Sequence, residues 1–131
     1  METVKVQTAS ITGLAIDWAV AKATGLTPTI MSNSETLEDY IAIRNSGAPW
    51  MFSPSRNWSD GGPLIEKYGL GVAKFYEPVD GPIPTGCEWA ALWRDDTKRM
   101  DGPTVLIAAC RAIVASKLGE TVEIPASLFN Q

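Results

Sequence analysis

PTVLIAACRAIVASKLGETVEIP, residues 103–125, carries one long helix, its stop and the strand that follows. Val105, Leu106, Ala109, Cys110, Ile113 and Val114 recur at helical spacing and form an apolar stripe, with Arg111 and Lys117 marking the polar side. Asp101, two residues before Pro103, predicts the start, since proline is tolerated in a first turn, where its missing N–H has no helical partner to lose. Gly119 predicts the stop, because glycine enters the left-handed conformation without steric cost. Thr121-Val122-Glu123-Ile124 then alternates and reads as a last short strand before Pro125.

The other end of the chain follows the same logic. Thr3-Val4-Lys5-Val6-Gln7 alternates, is rich in β-branched residues and reads as a short edge strand. Ser10 and Thr12 offer caps for a helix through Leu14, Ile16, Trp18, Ala21 and Lys22, with Gly25 as its stop. Leu14 and Trp18, four apart, share its inward face. Between the ends, Leu70–Tyr76 and Cys87–Trp93 read as strands joined by the Pro- and Gly-dense EPVDGPIPTG, and 94–100 reads as a charged loop. Residues 27–47 carry mixed signals. Asn33-Ser34 before Glu35, Glu38 and Asp39 has the form of a capped start, and Leu37, Tyr40, Ile41 and Arg44 fit helical spacing; Tyr40–Ile43 would also serve as a strand, and the reading adopted is helix. Two terminal helices around a small, mostly antiparallel sheet make an α+β fold, α-β-α sandwich-like, in a single domain over residues 1–131.

Composition excludes several kinds of chemistry. The chain has 131 residues, 11 Lys plus Arg against 15 Asp plus Glu, a formal charge of −4 and no His. Without His there is no His-dependent triad, His-ligated zinc or imidazole proton shuttle. The acidic balance argues against gripping a nucleic-acid backbone. Cys87 and Cys110 lack CxxC spacing and are expected as reduced thiols. METVKVQTAS has neither the positive start nor the apolar run of a signal peptide, and no stretch approaches the roughly 20 apolar residues needed to span a bilayer. The expectation is a soluble intracellular protein with no membrane partner, metal or cofactor.

GAPWMFSPSRNWSDGGP, residues 47–63, is the most unusual segment, with three Gly and three Pro. It predicts a structured loop, after which Asp60 or Gly62 caps a short helix opened by Pro63 and closed by Gly69. Ser53, Ser55, Arg56, Asn57, Gly61 and Gly62 beside a helix N-terminus suit an anion, because free N–H groups there point outward. Trp50, Phe52 or Trp58 can stack on a planar base. Arg111 is a further candidate, as ligand clamp or buried ion-pair partner. The plain structural alternative has Trp58 plugging the core, Arg56 paired with an acid, and Ser55 and Asp60 capping turns.

Three stretches together, SITGLAIDWAVAKATG (10–25), FSPSRNWSDGGPLIEKYG (52–69) and residues 103–125, resemble the NinX-like family of small bacteriophage proteins. The shared order is a helix, an S-P-S-x-x-W-x-x-G-G-P loop, two strands and an A-A-x-R-x-x-V-A-S-K-L-G helix. It also resembles the phage α-β-α sandwich domain. The resemblance implies a phage accessory protein acting in the cytoplasm of the infected host, and it brings no established activity.

On these grounds the expected function is non-catalytic: capture of a nucleotide-like host signal, of the kind used in antiviral defence, through the 50–63 loop. The alternative is a protein-interaction module that inhibits a host protein, anchored by Trp50, Met51 and Phe52. A third reading, a small phosphohydrolase, needs Mg²⁺ on Asp95, Asp96 and Asp101. Catalytic residues are expected to be absent, and self-association into a homo-oligomer is expected.

Overall fold

The computed structural model describes residues 2–44, 47–74, 89–92 and 99–129. Two apolar helices cross at its centre, α1 (Gly13–Ala23) and α3 (Val105–Leu118). Every residue from Leu14 to Ala21 is buried, as is every residue from Ala108 to Ala115. Helices apolar on nearly all sides must be enclosed on nearly all sides. Alanine-rich faces also let them approach closely, so Cys110 and Val114 of α3 join Leu14, Trp18 and Val20 of α1 in one core. The polar side expected for α3 is therefore absent at Arg111, which is only 4% exposed.

Both helices start from extended threonines. Thr12 stands at the N-cap of α1 with no capping bond from its side chain, while the Thr104 hydroxyl accepts the Ile107 N–H at 3.1 Å. This moves the start of α3 from the predicted Asp101 to Val105. A threonine that caps outranks a proline one residue earlier, because it satisfies an orphan N–H directly. Gly25 (φ 83°) and Gly119 (φ 103°) occupy positive-φ positions at the helix ends, as expected.

Strand β1 (Thr3–Gln7) pairs antiparallel with β8 (Thr121–Pro125), placing Val4 opposite Ile124 and Val6 opposite Val122. Thr8 ties this ribbon to the end of α3, its N–H donating to Glu120 O at 2.8 Å and its hydroxyl to Gly119 O at 2.7 Å. Residues 27–47 correct the helix reading: β2 (Pro28–Ser32) and β3 (Asp39–Ile43) form an antiparallel hairpin, with β4 (Trp50–Met51) on the other side of β3. The capping signal is real but serves a turn. Asn33 Oδ1 accepts the N–H groups of Glu35 and Thr36 at 2.8 and 3.1 Å, and Leu37 then turns left-handed at φ 61°. Ile41, Ala42 and Ile43 are all buried, so this strand lies inside the core.

Helix α2 (Trp58–Tyr68) starts earlier than predicted, because Asn57 caps it by accepting the Ser59 N–H at 2.9 Å. Pro63 consequently lies inside the helix, and Gly61 and Gly62 are helical residues that do not open it. Gly69 (φ 63°) ends it as expected. Strands β5 (Gly71–Lys74), β6 (Trp89–Leu92) and β7 (Arg99–Gly102) form a third antiparallel set, so the end of the predicted charged loop is a strand. Cys87, Trp93, Asp95, Asp96 and the 77–86 connection lie outside the described residues. The fold is α+β, its strands divided among one two-stranded and two three-stranded sheets among the described residues.

Gly61 allows α2 to dock. A Cβ there would overlap Pro54 O and come within 2.7 Å of Leu106 Cδ2. Gly61→Ala is therefore expected to destabilise the protein by about 1–3 kcal/mol despite alanine's better helix propensity. Urea unfolding measures this, and an unchanged or raised midpoint would refute the close approach.

Candidate ligand-binding site

The loop between β4 and α2 is held by carboxylates on both sides of Pro54. Proline itself has no N–H, and the two neighbouring amides each go to an acid. Ser53 N–H donates to Asp60 Oδ2 at 2.9 Å, and Ser55 N–H donates to Asp17 Oδ1 at 3.0 Å. Ser53 O accepts from the N–H groups of Arg56 and Asn57 at 3.1 and 2.8 Å, closing the turn. Asp60, an acid close to the candidate anion site, is thereby turned into the loop.

Asp17 is the feature the sequence did not reveal. It lies on α1 in an apolar run and is fully buried. Burial pushes its carboxyl up to about 6; Ser55 and the Arg56 guanidinium oppose that rise, and Asp60 adds to it. Its Oδ2 has no hydrogen-bond partner and lies 4.0 Å from Arg56 Nη2. The hydroxyls of Ser53 and Ser55 are buried without a hydrogen bond of accepted geometry, although the Ser55 hydroxyl is near enough to favour ionised Asp17. Buried polar atoms are nearly always paired, so three unpaired ones at one loop mark it out from the rest of the core.

Above the loop lies an open cavity of about 430 Å³. Ser55, Arg56 and Trp58 line one side, and residues 103–107, the cap and first turn of α3, line the other. Trp58 is 59% exposed and the Arg56 side chain equally so, which rules out the expectation that Trp58 plugs the core. The cavity thus combines a guanidinium, an indole and the positive end of a helix dipole. These groups suit a planar anion.

The structure separates the sequence candidates. Ser55, Arg56 and Trp58 come together, and Asn57 supports them as the cap of α2. Ser53 and Phe52 are buried beneath the loop, and Gly61 and Gly62 belong to α2. Trp50 and Met51 are exposed on β4 and do not line this cavity. Arg111 is not part of it: Nε donates to Ile11 O at 3.0 Å and Nη1 to Asp101 O at 2.7 Å, an internal brace between α3, the entry to α1 and β7. The first turn of α3 was missed because Pro103 read only as part of a helix start, and only the tertiary fold brings that turn opposite Trp58. Asp101 is paired with Arg99 Nε at 2.7 Å, and among the described residues no group of three or more acids, Cys or His could hold a metal ion.

Against known families, the model described as Bacteriophage P22 NinX matches residues 7–117, most of the chain. The chain belongs to the NinX family. The matched span takes in α1, the 52–57 loop, α2 and the first turn of α3, so every described residue lining the cavity falls inside the family region. Nothing among curated proteins matches the chain. Among the described residues, no helix of this NinX-family protein is long and apolar enough to cross a membrane.

Proposed function

We propose that this phage accessory protein is a non-catalytic binder that captures a small planar anion, nucleotide-like in chemistry, inside the infected host cell. The observation that carries the reading is the convergence of Arg56, Trp58 and Ser55 with the first turn of α3 around one cavity. A phosphate placed there meets a forked donor and free helix N–H groups, while the indole offers a stacking face worth roughly 1–3 kcal/mol per base. Capture of a host signal used in antiviral defence would need affinity and no turnover.

Titration calorimetry against adenosine and uridine mono- and diphosphates tests this. Wild type is expected to bind at least one of them, and Arg56→Ala or Trp58→Ala to weaken that binding at least tenfold. Both side chains are largely exposed, so the variants should stay folded. Absence of heat with every nucleotide would remove the reading.

One observation favours a second reading, a protein-interaction module. Trp50, Met51, Trp58 and Leu37 are exposed at 44%, 53%, 59% and 82%. Aromatic and methionine side chains of that kind anchor interfaces. Phe52, also expected in the anchor, is buried and contributes to the core instead. A stoichiometric host protein retained by wild type and lost in Trp50→Ala would favour this reading over ligand capture.

A further inference from the structure

Arg56 is the shared wall of two cavities. Beside the 430 Å³ cavity lies another of about 530 Å³, lined by Gly13 and Leu14 of α1, by Leu37, Glu38 and Asp39 of the β2–β3 hairpin, and by Arg56. Each is within the usual range for a small-molecule site. Among the described residues Arg56 makes no hydrogen bond through its guanidinium, and its carboxylate neighbour is 4.0 Å away. Its side chain is largely exposed and lines both cavities, so its donors can meet a phosphate in either.

The two cavities differ in charge. The first has Arg56, Trp58 and Ser55, with no acid in its lining among the described residues. The second has Glu38 and Asp39, which repel a second anion but accept hydrogen bonds from hydroxyl groups. Asp39 already accepts the Ser32 hydroxyl at 2.6 Å, leaving Glu38, on the exposed turn, as the main acceptor. Leu37 adds an apolar edge. It is 82% exposed and held at φ 61°, a strained backbone for a leucine, and such outliers gather at ligand clamps.

We infer that the ligand is a two-part molecule, a nucleoside diphosphate joined to an uncharged sugar, lying across Arg56 with its base toward Trp58, its phosphates on the guanidinium and its sugar hydroxyls toward Glu38. This rests on the reading of the first cavity as a nucleotide site and extends it to the neighbouring one. The base stacks, the phosphates take Arg56, which is common to both cavities, and the acidic wall selects hydroxyls over a further phosphate.

Calorimetry with matched pairs, ADP with ADP-ribose and UDP with UDP-glucose, reads the second part directly. In wild type at least one sugar-bearing partner is expected to bind ten times or more tighter than its parent diphosphate. In Glu38→Ala that ratio is expected to fall towards one. Its position on an exposed turn keeps the fold intact, which circular dichroism checks. Diphosphates that bind as tightly as their sugar conjugates, or a ratio untouched by Glu38→Ala, would overturn the two-part ligand and leave nucleotide capture standing. No binding by any of the four would overturn capture itself.

Discussion

Arg111→Met is expected to lower the melting temperature by about 10 °C, corresponding to a loss of about 3 kcal/mol for a chain of this size. Arg111 is 4% exposed and its guanidinium makes two charge-assisted bonds, to Ile11 O and Asp101 O. Bonds of this kind contribute roughly 1.5–3 kcal/mol each. Methionine preserves the packing volume but leaves both carbonyls without that donor. Relief from burying a charge offsets part of the loss, which keeps the estimate near one bond's full worth instead of two. Since domains are stable by only about 5–15 kcal/mol, this single brace is a large share of the total. Arg111→Lys should recover less than half, because one ammonium cannot span two carbonyls that a planar fork reaches together. Thermal and urea unfolding provide the readout. A shift below about 2 °C for Arg111→Met would show that the two bonds are replaced by water or by repacking.

Asp17→Asn is expected to act in the opposite direction, stabilising the protein at pH 7 by as much as about 3 kcal/mol. The native carboxyl titrates at about 6, raised from 3.8 chiefly by burial. Between those values the folded state holds a proton that the unfolded state has released. The stability it contributes is complete below pH 3.8 and is lost as pH rises through 6. An amide keeps an acceptor for the Ser55 N–H and never ionises, so the substituted protein should lack this loss. The two proteins should be equally stable near pH 4 and diverge by pH 7. Losing the 4.0 Å neighbour of Arg56 subtracts little, because that arginine is 59% exposed. Urea midpoints from pH 4 to 7.5 test this, and parallel curves would show that Asp17 titrates in its ordinary range. A fold that tolerates a costly buried carboxylate to hold Ser55 and Arg56 is placing stability at the disposal of a loop, as functional sites often do.

Local patterns explain much of the architecture. The 105–118 and 13–23 helices, the strands at 3–7 and 121–125 and the stop at Gly69 follow from periodicity, alternation and glycine chemistry. The hairpin at 28–43 did not follow, because asparagine offers its side-chain oxygen to the next amides in a turn as readily as in a first helical turn. Four residues such as Tyr40–Ile43 also carry too little periodicity to tell strand from helix when three of them are buried. The candidate site was half legible. SPSRNW announces a structured loop with an arginine and an indole, yet nothing local shows which residues it faces.

What the residue order settles alone is therefore the set of short-range choices: where helices begin and end, which segments alternate, and that chemistry needing His has no place here. Long-range placement settles the rest. Arg111 becomes a buried brace, Asp17 a buried anchor, and the first turn of α3 the far wall of a cavity whose near wall is about 50 residues earlier in the chain. The physical reason is the same in each case. A side chain's charge state, exposure and partners depend on what the completed core brings against it, and that is a property of packing between segments distant in sequence.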